Sequence, residues 1–193
     1  MRRLFVIGGI VSGVLLILFG LGSIWISANG YTDVRDSLER ENIVGSPDME
    51  PEATRVAVEE SGAEIDDLPD CDVAGEEVTT GSEARCFADY MRIHTLEATG
   101  GQTYAEMGRF LDEEGNATSE ESEAAVGENG RPVENPQRQL WVTETALATA
   151  LNMAFLAENL AVFGVVVGIA LLLAGIGFIV LALGALRLRD DRY

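Results

Sequence analysis

The chain has 193 residues and a mass of 20.7 kDa, enough for about one domain. Hydrophobic residues make up 47% of it, yet its formal net charge is −19 and its pI is about 4.2. These values coexist only if apolar and acidic residues are segregated along the chain, which excludes an ordinary soluble globule. The acidic pI also argues against nucleic-acid binding, which needs a basic surface.

Two uncharged runs, residues 4–26 and residues 161–186, consist mainly of apolar residues and glycine. All the acidic residues except Asp190 and Asp191 lie between them. An α-helix rises 1.5 Å per residue, so about 20 apolar residues cross a hydrocarbon core of about 30 Å. Both runs are long enough, and we predict transmembrane helices over residues 4–26 and 160–186.

The alternative for the first run is a cleaved signal peptide, with Arg2 and Arg3 before it and a cleavage point at Ala28. The apolar region of a signal peptide typically has about 7–15 residues. This run is longer, which favours an uncleaved membrane anchor.

The arginines predict the orientation, because the chain contains no lysine. Two arginines precede the first run and three follow the second. Basic residues are enriched in short cytoplasmic flanks of membrane helices. We therefore expect residues 1–3 and 187–193 in the cytoplasm and residues 27–159 outside. The outer segment carries eight arginines and 30 acidic residues, a net charge of −22.

Each run contains a pair of glycines four residues apart, Gly9 with Gly13 and Gly164 with Gly168. Such spacing leaves a flat strip where another helix approaches closely. We expect these strips to pack the two spans together or, alternatively, to pack against another subunit. Neither run contains an ionisable residue, which makes a channel or transporter a poor interpretation.

The first part of the outer segment contains both helix-breaking and helix-forming residues. Asn29-Gly30 predicts a break or bend in the first helix. Residues 31–42 resume helical spacing, with two i,i+4 pairs of opposite charge. A short helix is expected over residues 51–60, since proline suits a first turn, and a polar loop over residues 61–82.

The chain has two cysteines, Cys71 and Cys86, and both fall in the segment predicted to lie outside. A structural disulfide is the simplest interpretation in an oxidising compartment. Closing a loop of this size stabilises by roughly 3 kcal/mol in the chain-entropy model. A redox pair or metal site is the alternative, but there is no CxxC motif and only one histidine.

Residues 83–98 are predicted to form an amphipathic helix, with Phe87, Tyr90, Met91 and His94 on one stripe. His94 is the only residue that suggests a general base or ligand. A lone histidine on an apolar stripe is usually a core or boundary residue that makes a hydrogen bond, and we interpret it so.

A second short helix is expected over residues 103–111, whose aromatic residues should supply much of the small core. Residues 112–135 are polar and acidic, which is typical of a mobile loop. Their first twelve positions weakly suggest a calcium loop, but the EF-hand glycine is replaced by Ala117. Neither glycine nor proline occurs from Gln137 to Phe163, so one helix is predicted from about 137 to 186. Its alanines, beside Leu147, should receive the other outer helices.

Three segments look familiar: ENIVGSPDM, ARCFADYMRIHTLEATGGQTYAEMGRFLD and RQLWVTETALATALNMAF, at residues 41–49, 84–112 and 138–155. Nearly the whole chain resembles an uncharacterised family of two-span membrane proteins from actinobacteria. Some members carry the label of an aromatic ring-opening dioxygenase. Such an iron site needs histidine and carboxylate ligands in a facial arrangement. One histidine cannot supply it, so the resemblance implies the topology and leaves the chemistry open.

The sequence therefore predicts an all-α protein with two transmembrane helices and a helical extracytoplasmic domain between them. The second span should continue directly from a long outer helix. We expect a non-enzymatic protein without a cofactor or metal, acting as an accessory or scaffolding component of a cell-envelope complex. The expected partners are the lipid bilayer and a membrane protein or a second copy, with no nucleic acid. The alternatives are a membrane-tethered enzyme and a signalling ectodomain that acts through a partner.

Overall fold

The computed structural model describes residues 2–61, 65 and 68–190. Contacts divide the chain into two units. The first comprises Met1–Ser37 with Leu156–Tyr193, and the second comprises Leu38–Phe155. The element order is α1 (Arg2–Glu41), α2 (Pro51–Ser61), α3 (Gly81–Ala98), β1 (Phe110–Leu111), β2 (Ala117–Thr118), a 3-10 turn (Glu121–Glu123) and α4 (Pro136–Asp190). The protein is mostly helical, as predicted.

The helix α1 contains the first apolar run and continues past it to Glu41. The predicted break at Asn29-Gly30 is wrong. A glycine inside a helix costs only about 1 kcal/mol relative to alanine, and the long helix on either side outweighs this. The Thr32 hydroxyl, which follows the pair, donates to the carbonyls of Ala28 and Asn29.

The helix α4 is 55 residues long, and it includes the second apolar run. Both α1 and α4 are long and apolar enough to cross a membrane. Because α4 is one helix from Pro136 to Asp190, the predicted continuity between the outer helix and the second run agrees with the structure. Its first residue differs by one from the prediction. Asn135 caps the helix through its side-chain oxygen, which accepts from the Gln137 amide at 3.1 Å, and Pro136 occupies the first turn.

The helices α2 and α3 lie where they were expected. The helix α3 begins slightly earlier than predicted because Thr80 and Glu83 form a capping box. The Glu83 carboxylate accepts from the amides of Thr79 and Thr80 at 2.8 and 2.9 Å. Partial burial raises the pKa of Glu83, but the hydrogen bonds from Thr79 and Thr80 together outweigh it and hold this pKa below its usual value.

The core of the second unit is a cluster of Met49, Val73, Cys86 and Tyr90, with Cys71 and Phe87 packed against it. The segment before Met49 pairs with the chain that follows Cys71. The Gly45 amide donates to Glu76, the Val78 amide to Ile43 and the Val73 amide to Met49. Gly45 is required in this pairing, because a Cβ atom there would overlap the Val73 carbonyl oxygen.

The predicted helix over residues 103–111 is wrong. Residues 103–107 form a single turn, in which the Met107 amide donates to the Thr103 carbonyl, and Phe110 then enters the antiparallel sheet β1–β2. The apolar spacing arises because Met107 and Phe110 are both buried in contacts distant in sequence. The sheet is also the exception to an all-α fold.

The segment 112–135, predicted to be a loop, contains β2 and the 3-10 turn. Asp112 accepts from the amides of Asn116 and Glu114, and so it closes the β1–β2 turn. The Asn116 amide hydrogen bond holds the pKa of Asp112 below its usual value. The acid that begins the weak calcium-loop pattern is therefore a turn residue. The mobility of the segment stays a prediction.

The face of α4 that packs within the second unit is not its alanine ridge. Trp141, Glu144 and Leu151 are buried, whereas Ala146 and Leu147 are exposed. Arginines of α3 cover this face. The Arg92 guanidinium carbon lies 5.3 Å from the Trp141 ring centroid, and the Arg85 carbon lies 5.0 Å from that of Phe155. The large aromatic rings and the arginine stems determine the contact.

The substitution Thr80→Ala should destabilise the second unit by about 1 kcal/mol. The Glu83 amide, in the first turn of α3, then loses the Thr80 hydroxyl as its acceptor. Denaturant unfolding of the detergent-solubilised protein, followed by tryptophan fluorescence, measures this change. The matched control is Ser82→Ala at an exposed position of the same turn, which should change stability by less than about 0.5 kcal/mol.

The same measurement with Glu83→Gln should depend on pH. Because the pKa of Glu83 is lowered in the folded state, its contribution is present above the usual carboxyl pKa and is lost as pH falls below it. A stability difference between wild type and Glu83→Gln that does not shrink on acidification would contradict this assignment.

Candidate functional site

The predicted packing glycines lie where α1 and α4 contact each other. A Cβ atom on Gly9 would lie 3.1 Å from the Ala182 Cβ, and one on Gly13 would lie 2.6 Å from the Gly175 carbonyl oxygen. On α4, a Cβ on Gly164 would overlap the Ser27 hydroxyl, and one on Gly168 would lie 2.6 Å from Ile24 Cγ1. The four glycines permit a close approach of the two helices, which run antiparallel.

The contact extends beyond the two GxxxG pairs. A Cβ on Gly20 would lie 2.7 Å from the Gly168 carbonyl oxygen. Small residues thus recur every seven positions, as Gly13, Gly20 and Ser27 on α1 and as Gly168, Gly175 and Ala182 on α4. A seven-residue repeat keeps one seam of a helix facing its neighbour. The seven-residue repeat is visible in the sequence, but Gly20 and Gly175 lie outside the two GxxxG pairs and were not predicted.

One side-chain hydrogen bond also joins the two helices. The Ser23 hydroxyl donates to the Gly164 carbonyl at 2.8 Å. Gly164 therefore contributes an accessible carbonyl as well as space. In an apolar surrounding, such a bond typically adds about 0.6 kcal/mol to helix association.

Cys71 and Cys86 lie at disulfide distance, with a Cα–Cα separation of 6.1 Å, which agrees with the predicted bridge. The Tyr90 hydroxyl donates to the Cys71 carbonyl at 2.5 Å, one helical turn after Cys86. Burial, together with the charges of Asp72, Glu50 and Asp70, raises the pKa of Tyr90 to about 12. The disulfide and the Tyr90 hydrogen bond thus both attach Cys71 to α3.

His94 is half-buried, and its Nε2 lies 3.5 Å from a carboxylate oxygen of Asp48. The Ser46 hydroxyl donates to the other oxygen of that carboxylate, and this hydrogen bond lowers the pKa of Asp48. In a Ser-His-Asp triad the imidazole lies between the hydroxyl and the carboxylate. Here the carboxylate lies between the other two groups, so the arrangement does not activate Ser46. His94 is a boundary residue that pairs with Asp48.

Within residues 2–61, 65 and 68–190, no three His, Cys, Asp or Glu side chains come together in a way that could hold a metal ion. The prediction that the protein is not an enzyme stays a prediction.

A cavity of about 340 Å³, which the sequence did not predict, lies at the start of α4. Its lining combines two arginines, one glutamate, two amides, a tyrosine and a valine: Arg109, Arg138, Glu134, Asn135, Gln139, Tyr104 and Val142. The volume is at the lower end of the range for small-molecule sites, about 300–1,000 Å³.

Three consecutive carbonyls form the frame of this cavity. The Arg138 guanidinium donates to Met107 O at 2.8 Å, the Asn135 side-chain amide donates to Gly108 O at 3.0 Å, and the Asn135 backbone amide donates to Arg109 O at 3.0 Å. Gly108 is needed here, because a Cβ would lie 2.6 Å from the Thr118 backbone nitrogen. The frame is therefore fixed by residues at the start of α4. An Asn-Pro pair before an apolar run is the sequence signal that could have located it.

No known protein family, no curated protein and no solved structure matches this chain. The resemblance to the actinobacterial two-span family therefore stays a prediction.

The packing of α1 on α4 predicts a cross-link. In Gly9→Cys/Ala182→Cys the two Cβ atoms approach the separation of about 3.5–4.5 Å that a disulfide requires. Mild oxidation in membranes should shift the mobility of the monomer on a non-reducing gel. The control, Gly8→Cys/Ala182→Cys, should not shift, because the space around Gly8 is open. A band at twice the mass without a shifted monomer would show that the seam joins two copies instead.

The raised pKa of Tyr90 predicts a late tyrosine ionisation. Ultraviolet absorbance should show a tyrosinate step near pH 12 that disappears in Tyr90→Phe and persists in Tyr31→Phe. Because the folded-state pKa is raised, the contribution of Tyr90 to stability is present below its usual pKa of about 10 and is lost as pH rises above it. A late step that survives Tyr90→Phe would contradict the assignment.

Proposed function

We propose that this protein is a non-enzymatic membrane protein with two spans and cytoplasmic termini. Its residues 27–159 form an extracytoplasmic domain that acts as an accessory or scaffolding part of a cell-envelope complex. Two features support the topology: two helices long enough to cross a membrane, and five arginines in the terminal flanks of the two runs. The net charge of −22 between the runs is compatible with it.

The observation that supports a scaffolding role best is an uncharged stripe on the part of α4 that lies in the second unit. Val142, Ala146, Thr149 and Met153 recur at intervals of four, three and four residues, and all four are exposed. They occupy the side of the helix away from Trp141, Glu144 and Leu151. We call this set the outward stripe.

The outward stripe fits a partner helix with an apolar face. A repeat of four and three residues is the spacing that packs one helix along another. Three of its four residues are apolar and it carries no charge, although it lies in a strongly acidic segment. Exposed apolar surface is typical of protein–protein contacts. A membrane protein of the envelope, or a second copy of this chain, offers such a helix.

A charge on the outward stripe should break the complex. The test compares Met153→Glu with Leu147→Glu. The two side chains are similarly exposed, at 56% and 50%, and lie on the same helix, but Leu147 is outside the stripe. Both tagged variants are cross-linked gently in native membranes, purified and analysed by mass spectrometry. We expect the wild type and Leu147→Glu to retain the same stoichiometric partner and Met153→Glu to lose it.

Two results would overturn the proposal. One is a monodisperse wild-type protein without any cross-linked partner. The other is equal recovery of the partner with Met153→Glu and Leu147→Glu. Circular dichroism and the mobility of each variant in detergent confirm that the substitutions leave the fold intact.

A further inference from the structure

Two arginines line the cavity at the start of α4, and neither forms an ion pair within the described residues. Within the part of the chain that the structure describes, neither Arg109 nor Arg138 has a carboxylate within 4.0 Å. The surrounding segment has 30 acidic residues and eight arginines, so acidic partners are abundant. Two guanidinium groups that line one cavity without an ion pair leave positive charge available to a ligand.

Arg138 is held in place and still has free donors. Its guanidinium carbon lies 3.8 Å from the Tyr104 ring centroid, and one of its N–H groups donates to Met107 O. Stacking on the ring and this hydrogen bond fix the plane of the group. A guanidinium has five N–H donors, so most of them remain available.

Arg109 lies in the segment that Asn135 holds, and its guanidinium carbon lies 5.2 Å from the Phe110 ring centroid. Its side chain donates no hydrogen bond within residues 2–61, 65 and 68–190. Within the described residues, Arg109 thus makes fewer side-chain hydrogen bonds than Arg138. The positive charge of the site comes from side chains, because the first amides of α4 are already occupied by Asn135.

The charges of the lining limit the ligand. Arg109 and Arg138 contribute two positive charges and Glu134 one negative charge, which leaves one net positive charge. This net charge attracts an anion, and inorganic phosphate has no apolar part that could contact Tyr104 and Val142. The planar guanidinium fork matches a carboxylate. Tyr104 and Val142 provide an apolar wall beside it.

We propose that this cavity binds a small ligand with one carboxylate group and an apolar or aromatic body. Arg109 and Arg138 bind the carboxylate, and Tyr104 and Val142 contact the apolar part. The proposal shares Val142 with the outward stripe, but it is distinct from the scaffolding role because recognition of the carboxylate depends on the two arginines, which lie outside the stripe.

Benzoate is the probe, because it combines one carboxylate with an aromatic ring. Benzamide, its neutral counterpart of the same shape, and inorganic phosphate are the two comparison ligands. Saturation-transfer NMR on the full chain in detergent micelles detects weak binding of benzoate and benzamide through their ring protons, and phosphate is measured by its competition with benzoate. The variants are Arg109→Gln and Arg138→Gln, and the control is Arg131→Gln, an exposed arginine that does not line the cavity.

We expect saturable binding of benzoate, at least a tenfold weaker affinity with Arg109→Gln, and an unchanged affinity with Arg131→Gln. Benzamide and phosphate should bind more weakly than benzoate. Arg109→Gln is the decisive variant, because the Arg109 side chain donates no hydrogen bond within the described residues. Arg138→Gln, in contrast, also removes the hydrogen bond to Met107 O.

Three results would overturn the proposal: no saturable binding of benzoate to the folded wild-type protein, equal affinity for benzoate and benzamide, or equal affinity of wild type and Arg109→Gln for benzoate. Tighter binding of phosphate than of benzoate would also overturn it and would point to a phosphate ligand instead. The melting temperature of each variant shows that the fold is retained.

Discussion

The core of the second unit is built around one partly buried hydrogen bond, from the Tyr90 hydroxyl to the Cys71 carbonyl. Few large apolar residues are available in a segment of this charge, so the core is a small cluster centred on this tyrosine. A buried polar group is costly unless it is paired. The hydroxyl satisfies the Cys71 carbonyl while the ring fills the core. The disulfide from the same cysteine to α3 acts in parallel with this bond.

The first unit is held by a different interaction, the close approach of two backbones. Glycine at Gly13, Gly20, Gly168 and Gly175 brings carbonyl oxygens of one helix within van der Waals reach of the other. In lipid, side-chain hydrophobicity cannot drive helices together, because the tails are equally apolar. Packing along a seam of small residues supplies the attraction, and Ser23 adds one directional bond.

The sequence was sufficient where the signal is local. An apolar run and a proline in a first turn each depend on a few neighbouring residues, so α2, α4 and most of α3 were predictable. The helix α1 was expected to break or bend at Asn29-Gly30 and instead continues to Glu41. The sequence was insufficient where the signal comes from distant contacts. Tyr104, Met107 and Phe110 have helical spacing, but Phe110 pairs with Thr118 across a sheet and lies opposite Glu134. The cavity was missed for the same reason, since Arg109 and Arg138 meet only through the folded chain.

The pairing around Tyr90 has a consequence for the order of folding. Every element of that core, from Ile43 to Tyr90, is contained in the first half of the chain. Contacts of low sequence separation form early, and a chain made from its N-terminus folds its first segments first. This core can therefore assemble, and its cysteines can be oxidised, before α4 has been synthesised. The later half then meets a helix α3 that is already anchored on one side, with its Arg85 and Arg92 free to receive Phe155 and Trp141.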